Sequence, residues 1–66
     1  MDIMKINSAK IKSELKRRGW RQKELAQYIR MSPQAISMLL KRKTSRIATI
    51  NNIAKALGYD AKDLLH

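Results

Sequence analysis

On a helix that turns about 100° per residue, Gln34, Ser37, Met38 and Lys41 fall on one side and Ile36, Leu39 and Leu40 on the other. The first set offers an amide that can bond adenine at two points, a hydroxyl, an apolar group for a thymine methyl and a cation for phosphate. Those are the contacts a DNA major groove takes. Taken singly, Gln, Ser and Lys are ordinary solvent residues, and their neighbours decide the matter. Lys41-Arg42-Lys43 and Arg46 follow at once, and from Leu25 to Tyr59 there are six basic residues (Arg30, Lys41, Arg42, Lys43, Arg46, Lys55) and no acid. A run this dense does more than solvate a helix face.

Other chemistries lack their parts. The chain has no Cys and a single His, His66, so neither a disulfide framework nor a Cys/His metal site can be assembled, and no cofactor is implied. Its acids, Asp2, Glu14, Glu24, Asp60 and Asp63, are scattered without a partner His or Cys, which argues against an enzyme. No apolar run approaches the roughly 20 residues of a membrane span, and Met1-Asp-Ile-Met-Lys-Ile lacks the regions of a signal peptide. A soluble, cytoplasmic protein is expected. Fifteen Lys and Arg against five Asp and Glu give a formal charge of +10, a self-repulsion that an anionic partner would screen.

The elements that must hold this face are short helices. With 66 residues the chain has room for one domain, and a chain of this size buries only about 60% of its unfolded surface. The first helix is expected over about 8–18, with Ile11 and Leu15 on one face, Gly19 as its left-handed cap and Trp20 turned inward at the joint. A second covers about 22–30, where Leu25, Ala26 and Ile29 make the apolar stripe and Glu24 sits in the first turn. Ser32-Pro33 starts a third, which runs to about Lys41. Arg30, Met31 and Ser32 alone then separate the second and third helices, the tight joint of a helix-turn-helix. A fourth spans about 46–57 behind Thr44 and Ser45, with Ile47, Ile50, Ile53, Ala54 and Leu57 inward and Gly58 as cap. Asp60 caps a last helical turn ending in Leu64 and Leu65. Met1, Ile3, Met4 and Ile6 alternate too briefly to found a sheet. The fold class expected is all-α, with an N-terminal arm over 1–7 and one domain over 8–66.

In order and spacing, Gln22-Lys-Glu-Leu25-Ala26, Ser32-Pro33-Gln34-Ala35-Ile36-Ser37, Ile50-Asn-Asn-Ile53-Ala54-Lys-Ala56-Leu57-Gly58 and the ending Gly58-Tyr-Asp60-Ala-Lys-Asp63-Leu64-Leu65 resemble the Cro/C1-type (XRE) helix-turn-helix regulators. The resemblance runs without gaps from about residue 8 to 65. It implies a compact five-helix bundle of the lambda-repressor-like type and a transcriptional regulator, expected to be a repressor, that binds double-stranded DNA; since one recognition helix reads only a few base pairs, a homodimer on DNA is expected. Pro33, Gln34, Ser37 and Met38 fall where the family reads base edges. Gln22 falls where it bonds a phosphate and braces the residue at Gln34, while Lys41, Arg42, Lys43, Thr44 and Arg46 fall in the loop laid along the backbone. Contacts of the latter kind supply affinity rather than sequence choice.

Four departures from the pattern carry expectations. Arg30 stands where the turn usually has Gly, and a non-Gly residue in the left-handed region costs about 1 kcal/mol. Arg21 replaces a capping Ser or Thr and is a candidate phosphate contact. Pro33 replaces a donor side chain, leaving its ring to pack on a thymine methyl. Leu15 and Leu40 replace an Arg and a Glu that many members pair, so the two Leu are expected to pack together without the desolvation cost of an ion pair. The fold also serves as an antitoxin or adaptor whose main partner is a protein. That alternative needs a larger exposed apolar patch, for which Met1, Ile3, Met4 and Ile6 are the candidates. A chain this short is either complete and Cro-like or a piece of a larger regulator.

Overall fold

The computed structural model describes residues 3–66, and its helices start and stop at local signals. α1 (Ser8–Arg18) begins behind Asn7, whose side-chain oxygen accepts the Lys10 amide at 3.1 Å. It ends at Gly19, which takes φ +72°, and the Trp20 amide closes the turn onto the Leu15 carbonyl at 2.8 Å. α2 (Gln22–Tyr28) has Arg21 as an N-cap with no side-chain bond to the helix. It stops two residues before the expected end because Arg30 adopts φ +60° and the Met31 amide reaches back to the Ala26 carbonyl at 2.7 Å. Arg30 thus takes the left-handed conformation expected of the glycine it replaces in the resembled pattern. α3 (Pro33–Arg42) opens with the Ser32 hydroxyl accepting the Ala35 amide at 3.1 Å and with Pro33 at the first position, as expected. Its cap is a second left-handed non-glycine, Lys43 at φ +61°. α4 (Ile47–Leu57) closes on Gly58 at φ +78°.

The expectation of an all-α, five-helix bundle needs two corrections. Ile3–Lys5 forms β1 and Thr44–Arg46 forms β2, an antiparallel pair in which Ile3 faces Arg46, Met4 faces Ser45 and Lys5 faces Thr44. Residues 44–46 are therefore a strand and not merely the approach to α4, which starts one residue later than expected, at Ile47. The pair is held at its inner end by Ile6, 1% exposed, whose amide donates to the Lys43 carbonyl at 3.0 Å. The other edge of this segment meets the C-terminus: the Asn7 amide donates to Leu64 at 2.7 Å and the His66 amide to Lys5 at 3.0 Å. The expected fifth helix is a single 3-10 turn, Ala61–Leu64, entered through reciprocal capping by Asp60 and Asp63. Four α-helices, this turn and a small sheet make up the described residues. Met1, from the alternating set at the N-terminus, lies outside the described residues.

Every helix places apolar residues in one core. Ile11 and Leu15, Leu25 and Ala26, Ile36, Leu39 and Leu40, and Ile50, Ile53, Ala54 and Leu57 are buried together with Ile6 and Leu64. Leu15 and Leu40, at 3% and 2% exposed, both belong to this cluster. The start of α1 is fixed to the end of α3 by the buried Ser8 hydroxyl, which donates to the Leu40 carbonyl at 2.8 Å and satisfies a group the helix end leaves free. Arg18 does the same for α4 by donating to the Leu57 carbonyl. Trp20 is half-buried, with its ring 5.6 Å from that of Tyr28. Glu14, 9% exposed, lies 3.3 Å from Arg17. Hydrogen bonding to Glu14 and burial push the Tyr59 hydroxyl above its ordinary range, since ionising it would set two anions together. Lys10 caps the Tyr59 ring at 4.9 Å.

Arg30 gives a direct test of the turn. Arg30→Gly removes the left-handed penalty, about 1 kcal/mol, but adds unfolded-chain freedom that offsets part of it. The expected net result is a stabilisation of up to about 1 kcal/mol, read as a higher urea midpoint at unchanged slope. A lower midpoint would mean that the Arg30 side chain stabilises the turn by more than its backbone strains it.

Candidate nucleic-acid interface

The joint between α2 and α3 consists of residues 29–32, one longer than the sequence suggests because α2 ends early. Across this joint α3 presents the division expected of it. Ile36, Leu39 and Leu40 are buried, while Pro33, Gln34, Ser37, Met38, Lys41 and Arg42 are exposed. Met38 is 49% exposed, so a large apolar side chain stands in water on the same side as Gln34 and Ser37.

Beside α3 runs a groove closed on its far side by β2 and the start of α4. Met38, Arg42, Thr44 and Arg46 line it, together with Ile3 of β1 and Thr49. Four of the residues singled out in the sequence are thereby brought into one surface. Lys43 lines the adjoining groove with Arg42 and Thr44. Among the described residues no carboxylate side chain lines either groove, while Lys5, Arg42, Lys43 and Arg46 bring cations to them. Arg21 and Gln22 lie elsewhere, on a shallow surface beside Lys12, Lys16 and Trp20. Gln22 is half-buried, and no hydrogen bond joins it to Gln34 among the described residues. The N-terminus of α2 is left without a side-chain cap.

Sequence reasoning missed Ile3 and Thr49. Thr49 sits one turn into α4, where no periodicity distinguishes it, and Ile3 reaches the groove only through its pairing with Arg46. That pairing has no local signature. Among the described residues no cluster of His, Cys, Asp or Glu is arranged to hold a metal ion, and no helix is long and apolar enough to cross a membrane.

A helix-turn-helix family model matches residues 11–64. Neither the curated proteins nor the solved structures yield a match to the chain. The family match takes in α2, α3 and α4 whole, and so covers the helical part of the surface just described. The chain belongs to the Cro/C1-type helix-turn-helix family of DNA-binding regulators.

Proposed function

We propose that the protein is a cytoplasmic, sequence-specific regulator of transcription that lays α3 in the major groove of an operator and represses by occupying it. The observation that carries this reading is the exposed side of α3, whose Met38 continues into a groove flanked by Arg42 and Arg46 and lined, among the described residues, by no carboxylate side chain. In this reading Pro33, Gln34, Ser37 and Met38 meet base edges. Arg21, Gln22, Lys41, Arg42, Lys43, Thr44 and Arg46 hold the sugar-phosphate backbone and set the register. One such helix reads only a few base pairs, so the working form is a homodimer on two half-sites about 34–36 Å apart.

The test is selection from a randomised duplex pool at near-physiological salt, followed by titration of the enriched and scrambled duplexes. An enriched inverted repeat bound at least about a thousandfold more tightly than scrambled DNA, at two protomers per duplex, is the expected result. Weak binding without a consensus would reject it, and one protomer per palindrome at saturation would reject the dimer. The adaptor or antitoxin reading gains little from the surface. Of the four exposed large apolar side chains among the described residues, Ile3, Met4, Tyr28 and Met38, two line the arginine-flanked groove itself.

Lys43 separates affinity from choice. It is exposed and lies at the left-handed cap of α3. Lys43→Ala is expected to weaken all duplexes alike and to reduce the slope of log Kobs against log salt by about one. A loss confined to the preferred sequence would instead make Lys43 a base reader.

A further inference from the structure

The cationic surface does not stop at the loop after α3. Arg42 and Thr44 line both the groove beside α3 and a second groove, whose other walls are Lys5 of β1, Lys43 and His66. Lys43 and His66 in turn line a third, walled by Asn7, Ser8 and Lys12 at the start of α1. The three grooves therefore form one track, along which Arg46, Arg42, Lys43, Lys5 and Lys12 follow one another, and among the described residues no carboxylate side chain lines any part of it. Its cations come from three separate stretches of chain, at residues 5, 12 and 42–46. The fold sets them side by side through specific bonds: Lys5 faces Thr44 in the sheet, and the Ser8–Leu40 hydrogen bond fixes the start of α1 against the end of α3. Lys5, Lys12, Arg42 and Lys43 are all exposed, and the single ion pair among the described residues, Glu14–Arg17, involves none of them.

Gathering like charges by tertiary structure costs stability that an anionic ligand returns. A track continuous with the groove beside the exposed face of α3 fits the nucleic-acid backbone that would leave that groove. We infer that Lys5 and Lys12 extend the DNA interface across β1 onto α1, binding phosphates of the duplex beyond those reached by α3 and its loop. This rests on the DNA-binding reading above and adds two contacts that the helix-turn-helix pattern does not mark. Lys5 lies before the stretch matched by the family model, in the N-terminal strand.

The experiment compares Lys5→Gln, Lys12→Gln and the double variant with the unaltered protein on two probes, the selected duplex lengthened by one helical turn at each end and a scrambled duplex of that length. Glutamine keeps the apolar stem and removes only the charge. Each single variant is expected to lower the salt slope by about one and the double by about two, on both probes, with base preference unchanged. Lys55→Gln, on the outer side of α4 and outside the track, serves as the control and is expected to leave the slope as it was. Slopes equal to the unaltered protein's for Lys5→Gln and Lys12→Gln overturn the extension. So does an equal fall for Lys55→Gln, which would show that net charge alone matters. If Lys43→Ala lowers the slope while Lys5→Gln and Lys12→Gln do not, only the track fails. If the unaltered protein binds neither duplex, the DNA-binding reading itself fails.

Discussion

Leu40→Glu is expected to cost about 3–5 kcal/mol of folding stability, enough to leave much of the protein unfolded at 25 °C. A chain of this length holds only about 3–10 kcal/mol in total. The side chain is 2% exposed in a cluster of Ile and Leu, and the polar group nearest along the chain, its own carbonyl, is already taken by Ser8. A carboxylate there would have no partner and no water. Leu15→Arg, at a position 3% exposed in the same cluster, is expected to be comparably harmful alone. Because these two positions correspond to an Arg–Glu pair in many family members, the double variant is expected to recover part of the loss. A coupling of at least about 2 kcal/mol, within the range seen for residues in contact, would be read from the urea midpoints of the four proteins. The double variant should still not exceed the parent, since two well-packed Leu do without the desolvation penalty of a buried pair. Strict additivity of the two losses would show that Leu15 and Leu40 share a core without being partners.

What the sequence made visible was whatever is decided within a few residues. Gly19, Ser32-Pro33 and Gly58 each end or begin a helix through their own backbone or side chain, and all three act where expected. The division of α3 into buried and exposed sides is equally local, being set by helical periodicity. The sheet was invisible for the opposite reason. β1 and β2 have three residues each, too few for alternation to register, and Thr44-Ser45 also reads as the polar approach to a helix. Their pairing is paid for by contacts far off in sequence, Ile6 in the core and the C-terminal residues along the outer edge. Lys43 at φ +61° has no local mark at all, since its conformation follows from the need to turn α3 into β2. For the candidate site the consequence is uneven. The residues of α3 and its loop could be named from sequence, while the groove that joins Met38 to Arg46, and the place of Ile3 and Lys5 beside it, depend on the sheet.

Gln34→Ala is expected to change which duplexes are bound, at a cost of about 1–3 kcal/mol for the preferred site, or roughly 5- to 150-fold in affinity. The side chain is exposed in the first turn of α3 and makes no hydrogen bond within the protein among the described residues, so its amide is free to meet a base edge. Its removal leaves the core untouched, and Ala is a better helix former than Gln, so the melting temperature should hold or rise slightly. Being neutral, Gln34 releases no counterion on binding, and the salt slope should stay that of the unaltered protein. Scrambled DNA, held by the cations along the loop, should be bound as before. The signature is therefore a loss confined to duplexes carrying the preferred base at one position, with stability, slope and nonspecific affinity constant. Lys43→Ala is expected to show the reverse. An equal loss on every duplex for Gln34→Ala would remove this residue from the reading role and move the search for sequence choice to Ser37 and Met38, farther along the same face.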